Sequence, residues 1–341
     1  TGTIAIVGGE CTEGEEWNEC PLSLDASDSR LSGEGAVRNA GLPLPSGDLF
    51  IVLVNQSLRV ANDEGAWTGG GLLYALHGPD DFILAPLPNA VFMRDSSAWV
   101  GNGVILSPMN RIVRQRETDL LRLVYAFHPL FADTRIWFGD QPGEHYPASV
   151  EGGDVLVVAE RSLAIGISER TTPSGAAALA ARLFEEGVVD RILAVELPKA
   201  RSTMHLDTVV TMVDTDSFVL YPKIRQQVRT FEVMPAADGH LRVVEVSSLL
   251  AGLEWATGLS GIRSIEPPLH SVQAEREQWN DANNTFALAP GEVVAYERNV
   301  ATNEVLENAG ITVRRIPSYE LPRGRGGPRC MTCPVRRDPV G

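Results

Sequence analysis

Four cysteines in 341 residues are too few for a disulfide scaffold. No apolar run approaches the roughly 20 residues that a membrane helix needs. No basic, then apolar, then small-residue leader stands at the front, so a cytoplasmic protein with no membrane partner is expected. Basic residues are also in deficit: 29 Lys and Arg stand against 44 Asp and Glu, a formal net charge of -15. That balance disfavours nucleic acid as a partner and mildly favours cationic ligands. What remains is a globular chain, 44% hydrophobic, long enough for one large core or two modest ones.

Residues 1–48 are rich in Gly, Glu, Ser and Asp around one short apolar stretch, IAIVGG, and take no assigned fold. LFIVLV at 49–54 has the composition of a buried strand, and GGG at 69–71 marks a flexible connection. From about residue 86 one order of elements recurs. SSAWVGNGVILSPM predicts a hairpin around Asn102-Gly103, followed by the helix RETDLLRLVYAF, an amphipathic packing segment. DVLVVA and LAIGIS predict a second hairpin; TTPSG caps a helix ending near Gly187, and RILAVEL returns as a strand. DTVVTMVDTDSFVLY turns at Asp214–Asp216, and NTFALAPGEVVAYE turns at Pro290-Gly291 before the helix TNEVLENAG and the strand ITVRRI. Four such units imply a circular array of α/β modules.

Polar residues stand at the mouth of each hairpin: Asp95, then Glu151 and Asp154, then His205 and Asp207, then Asn283 and Asn284. Equivalent modules would project these groups from one end toward a common axis, a poor way to build a core and a good way to build a site. Carboxylates, a histidine and a cysteine suit a planar cation. Asp95 and Asp207 could each grip a guanidinium and keep it protonated, hence electrophilic at carbon. Cys330 would attack that carbon and His205 would protonate the departing amine and later activate water, with Glu151 fixing the imidazole tautomer. A bound cation would lower the Cys330 pKa. The glycines of GRGGP would let backbone approach the substrate.

FMRDSSAWV, EGGDV, GISERT, MHLDTV and GRGGPRCMTCP, in this order, resemble the motif set of bacterial arginine deiminases of the guanidino-group modifying (pentein) superfamily. The resemblance spans roughly residues 86–341. It implies a five-bladed α/β propeller around a pseudo-fivefold axis and hydrolysis of L-arginine to citrulline and ammonia. It implies a covalent thiouronium on Cys330, with no metal and no cofactor. His205 would be the general acid and base, Glu151 its partner, and Asp95 and Asp207 the guanidinium clamp. Arg114 and Arg170, with Asn89 nearby, would bind the substrate carboxylate. Phe92 and Asp154 would line the pocket, Arg325 would be a mobile arginine beside the nucleophile, and Gly324 would give a backbone contact. The chain departs from the family pattern in its first part. Only 85 residues precede PLPN, so 49–85 would hold a first strand and a reduced helical insertion, with 86–341 as the catalytic propeller.

The rival readings are an agmatine or methylarginine hydrolase or an amidinotransferase of the same fold, an arginine-binding paralogue without turnover, and a zinc or thiol redox module. The last needs Cys330 and Cys333 as a C-x-x-C pair, yet Cys11 and Cys20 are spaced too widely to complete a zinc knuckle. Cys333 is read as a small buried residue. His77, His128, His145, His240 and His270 are read as surface or core residues, and Asn283-Asn284 and EREQW as structural. Each site residue alone would suit a turn cap or surface charge; the ordered set reverses that reading. The sequence leaves assembly into a homo-oligomer open.

Overall fold

A computed structural model describes residues 87 and 89–337, apart from 132, 237–238 and 268–271. The expected strand at 49–54 and everything assigned to 1–86 lie outside the described residues. Of those described, 92–118 and 134–337 form one compact unit, while the residues up to Val91 and those of 119–133 belong to a second. Asn89, in a turn over 89–91, is in the second unit.

The first unit is built from one repeated pattern of strands. A short helix α1 (Met93–Ser96) leads into β1 (Ser97–Val100), which pairs antiparallel with β2 (Gly103–Leu106). The helix α2 (Ile112–Phe127) follows, its residues from Asp119 onward belonging to the second unit, and β3 (Arg135–Phe138) returns parallel to β2. The second module repeats this with β4 (Val155–Ala159), β5 (Ser162–Ile167), α3 (Pro173–Glu185) and β6 (Arg191–Glu196). The third begins with β7 (Val210–Met212) and β8 (Ser217–Leu220). The fourth is β12 (Phe286–Ala289), β13 (Glu292–Tyr296), α6 (Val300–Asn308) and β14 (Thr312–Ile316). In the first, second and fourth, the second hairpin strand pairs antiparallel with the first and parallel with the strand that follows the helix.

Local signals explain the boundaries. Thr172 accepts a hydrogen bond from the Gly175 N–H at 3.1 Å and Pro173 takes the first helical position, so α3 starts there. Gly187 stops the chain from continuing as helix by adopting φ +63°. Between these ends Ala176, Leu179, Ala180 and Leu183 recur at helical spacing and are buried. Removing either leucine side chain would cost about 2–5 kcal/mol.

The third module departs from the sequence expectation. Between β8 and its parallel partner β11 (Arg263–Ile265), the chain makes a further hairpin, β9 (Arg229–Pro235) and β10 (Leu241–Val246), and then α4 (Leu249–Thr257). That hairpin joins the second module's sheet, where β9 pairs antiparallel with β6, giving the five-stranded order β10-β9-β6-β5-β4. α5 (Val272–Trp279) precedes the fourth module.

Successive modules share cores. Ala98, Ile105 and Phe138 pack with Leu163, Leu179 and Ile192 between the first and second sheets. Leu156 and Leu193 join Phe218, Leu220 and Leu253 between the second and third. Val219 and Ile265 meet Val293 and Leu306 between the third and fourth. Each seam removes apolar side chains from water, at about 1.5–3 kcal/mol for each one fully buried, and holds the starts of consecutive hairpins in register.

Candidate active site

The hairpin that opens each module is preceded by a helical or tight turn: α1, the 3-10 turns Gly152–Asp154 and Leu206–Thr208, and a turn over 280–283. The first touches the second and the second touches the third. Gly152 and Gly153 make this approach feasible. A Cβ on Gly152 would lie 2.1 Å from the Arg94 carbonyl, and one on Gly153 would lie 2.7 Å from His205 Nδ1.

His205 sits between two carboxylates. Its Nε2 is 2.8 Å from Glu151 Oε2, and its Nδ1 is 3.6 Å from Asp95 Oδ1. All three side chains are buried. Burial alone would favour neutral imidazole, but Asp95, Glu151 and Asp154 outweigh it and push His205 up to about 10. It is therefore an imidazolium at neutral pH. Glu151 Oε1 accepts from the Asn110 N–H at 3.1 Å, which fixes the carboxylate from the other side.

Asp95 and Asp207 share one design. Asp95 Oδ2 accepts from Arg114 Nη1 at 2.6 Å, and Asp207 Oδ2 accepts from Arg329 Nη1. The second oxygen of each, Oδ1, is buried with no hydrogen-bond partner. An orphaned carboxylate oxygen is expensive to bury, so two of them facing the same charge cluster mark a place for a donor-rich ligand. Burial would raise Asp95, but His205 and Arg114 hold it below the usual carboxylate range. Burial pushes Asp207 up, only partly offset by Arg329 and His205.

Cys330 is 3% exposed and is a free thiol. Its N–H donates to Asn284 Oδ1 at 3.0 Å, and its carbonyl accepts from the Arg94 N–H at 3.0 Å. Burial, then the charges of Asp207, Asp95 and Asp281, push the thiol well above its ordinary value. The sulfur thus shares an electrostatic neighbourhood with both orphaned carboxylates, and it rests protonated. Cys333 is half-buried rather than buried, with its sulfur against Ser97 Oγ at 3.5 Å.

Several expected residues are already engaged with other groups of the protein. Asp154 does not present a free carboxylate: it accepts from the Leu206 N–H at 2.8 Å and the Ser168 hydroxyl at 2.7 Å, bracing the His205 turn, and burial pushes it up to about 7. Arg114, expected at a substrate carboxylate, spends its guanidinium on Asp95, on Glu117 at 2.7 Å and on the Phe92 carbonyl at 3.3 Å. Arg170 stands 3.7 Å from Glu151 and 3.4 Å from Glu169, and its charge acts on Asp95. Arg325, at φ +65°, stacks over the Trp279 ring at 4.2 Å and reaches Asp281 at 3.5 Å. The glycines of GRGGP, expected to let backbone approach the substrate, make room for protein groups as well: a Cβ on Gly324 or Gly326 would enter the buried Phe92 ring at 2.6 or 2.2 Å, and one on Gly327 would meet Asn284.

Sequence reasoning missed Arg329, Arg94, Glu117, Asp281 and Asn284. Arg94 Nε donates to the Arg329 carbonyl at 3.3 Å and Nη2 to Thr332 at 3.0 Å, tying α1 to the cysteine loop. Asn284 did carry a signal, since it stands at the hairpin start equivalent to Asp95 and Asp207. Among the described residues, the group of His, Cys, Asp and Glu close enough to hold a metal is Asp95, Glu151 and His205, with ligand atoms within 4.8 Å of one another. Neither cysteine belongs to it. No helix among the described residues is long and apolar enough to cross a membrane.

The N-terminal domain of ArgZ, an arginine dihydrolase from the ornithine-ammonia cycle in Cyanobacteria, is similar at TM-score 0.52 and 19% identity, covering 73% of this chain and 76% of that one. AgrE, solved with ornithine and NAD+, gives TM-score 0.52 and 19% identity over 77% of this chain and 33% of that longer one. These likenesses define a pentein-type α/β fold. The family follows from sequence: the arginine deiminase family profile matches residues 52–337, and the chain belongs to that family of hydrolases acting on guanidino groups.

Proposed function

We propose that this protein hydrolyses free L-arginine to L-citrulline and ammonia through a covalent adduct on Cys330. The observation that carries this reading is the pair of orphaned oxygens, Asp95 Oδ1 and Asp207 Oδ1, beside one buried thiol. A guanidinium laid between them gives each oxygen an N–H donor, stays protonated, and keeps its central carbon electrophilic. The same cation opposes the carboxylate field that holds Cys330 protonated, so the thiol loses its proton to solvent when substrate binds. The thiolate sulfur bonds to the guanidinium carbon. His205, already charged, gives its Nδ1 proton to the departing nitrogen as the C–N bond breaks, and ammonia leaves. The neutral imidazole then takes a proton from water while its oxygen adds to the thiouronium carbon. As the C–S bond breaks, the added hydroxyl loses its proton to solvent, which releases citrulline and restores the thiolate. The ArgZ N-terminal domain, solved covalently bound to a reaction intermediate, supports such a route. On this reading the four described modules are blades of a five-bladed α/β propeller.

One observation favours a second substrate. Arg114 is already engaged by two carboxylates, which suits agmatine, a guanidine without a carboxylate for Arg114 and Arg170 to bind. Purified protein incubated with L-arginine or agmatine, with citrulline, ornithine and ammonia measured and quenched protein weighed by mass spectrometry, decides. Equal citrulline and ammonia from L-arginine with an adduct on Cys330 is expected. Turnover of agmatine alone would transfer the reading to that substrate; ornithine release would make it a dihydrolase; neither product nor adduct would remove it.

A further inference from the structure

Asn284 has no role in the chemistry above, yet its side chain links the nucleophile's backbone to the turn that carries Asp207. It is fully buried. Oδ1 accepts the Cys330 N–H at 3.0 Å, and Nδ2 donates to the Asp207 carbonyl at 3.0 Å. The amide orientation is fixed by these partners, since reversing it would set donor against donor and acceptor against acceptor. Gly327 closes over it: a Cβ there would lie 2.6 Å from Asn284 Oδ1. One planar group thus sets the spacing between Cys330 and a carboxylate of the clamp.

The same contact has a chemical meaning. When a thiol attacks an ester or amide, the carbonyl oxygen gains negative charge, and backbone N–H groups beside the nucleophile commonly stabilise it. Here the Cys330 N–H is already given to Asn284. Attack on a guanidinium removes positive charge and creates no oxyanion, so it needs acceptors, and Asp95 Oδ1 and Asp207 Oδ1 supply them. We propose that Asn284 is a positioning residue that registers Cys330 against Asp207 and, by occupying the nucleophile's N–H, selects cationic amidines over neutral carbonyl substrates. The proposal rests on the guanidino-hydrolase reading above.

The test compares alkylation of Cys330 by 2-chloroacetamidine, a cation at neutral pH, with acylation of Cys330 by p-nitrophenyl acetate, a neutral ester whose attack creates an oxyanion, in the wild type, Asn284→Ala and Asn284→Asp. The Asp variant is isosteric, keeps an acceptor for the Cys330 N–H, loses the donor to Asp207 and adds a negative charge. Wild type should prefer the cation. That preference should drop about tenfold or more in Asn284→Ala, which frees the N–H, and persist in Asn284→Asp, while kcat with L-arginine falls about 100-fold in both and KM stays within about threefold. The KM expectation follows because Arg114 and Arg329, not Asn284, anchor the clamp carboxylates. A cation preference equal to wild type in folded Asn284→Ala overturns the selection, and wild-type kcat in folded Asn284→Asp overturns the positioning role. Absence of any cation preference in the wild type would instead overturn the guanidino reading on which the proposal stands, and that failure is told apart from the others by the wild type alone.

Discussion

Arg329, the residue before the nucleophile, holds Asp207: its Nη1 donates to Asp207 Oδ2 and its Nη2 to the Val155 carbonyl at 3.2 Å. A cation of the chain therefore orients a carboxylate proposed to grip a cation of the substrate. Arg114 does the same for Asp95. Each pair leaves one carboxylate oxygen without a hydrogen-bond partner, so the arginines act as fixed backs to the clamp.

Arg329→Met should leave Asp207 buried without its counter-charge. Urea unfolding should show a loss of about 3–5 kcal/mol, and kcat/KM for L-arginine should fall about 100-fold or more. Arg329→Lys, which keeps the charge but cannot reach both partners, should fall between. Wild-type stability in Arg329→Met would show that the pair is not formed.

The imidazolium of His205 makes a pH-dependent contribution. Its folded pKa is raised to about 10 from an ordinary 6.5, so its stabilising effect is complete below about pH 6.5 and is lost as pH rises through about 10. Glu151→Gln removes one source of that upward shift. The His205 titration, followed by NMR, should move down by about one pH unit or more, and the alkaline limb of kcat should move with it. An unchanged titration would show that the 2.8 Å contact is not coupled to the proton.

Cys330 should titrate differently with and without a cation. Burial and three carboxylates hold the free thiol above its ordinary value, and methylguanidinium placed between Asp95 and Asp207 should lower it. Alkylation by a neutral reagent across pH, repeated with methylguanidinium at subsaturating levels, reads the shift directly. Cys333→Ser should retain activity within about threefold, whereas Cys330→Ser should abolish it. Equal damage from both would reassign the nucleophile.

Gly326→Ala tests the packing of the cysteine loop on Phe92. The added methyl would start 2.2 Å from a ring atom, so the loop or the ring must shift. A loss of about 1–3 kcal/mol is expected, and the paired variant Gly326→Ala with Phe92→Leu should recover part of it.

Much of this was legible in the sequence because the signals were local. Hairpins announced themselves through alternating apolar runs and turn residues, and Asp95, Glu151, His205 and Asp207 stand just ahead of them. The β9–β10 hairpin escaped because β10 is largely exposed along its length, with Val243 and Val244 facing solvent, so it lacks a buried apolar face to read. Partners distant in the chain escaped too. Asn284 is 46 residues from Cys330 and 77 from Asp207, and Arg329 is 122 from Asp207. Spacing cannot reveal a bond whose ends meet only after several modules stack. The glycines before Cys330 were readable as a close approach, but not as an approach to Phe92 and Asn284.

Because β9 and β10 are supplied by one module and completed in the sheet of another, the chain between Val155 and Ile265 is interlaced. Cutting after Leu220 would strip two strands from a sheet whose own hairpin ended more than fifty positions earlier, at Ile167. The turn bearing His205 and Asp207 lies inside that interlaced stretch. Such a cut would leave Glu151 and its histidine partner together on a piece whose sheet has lost β9 and β10.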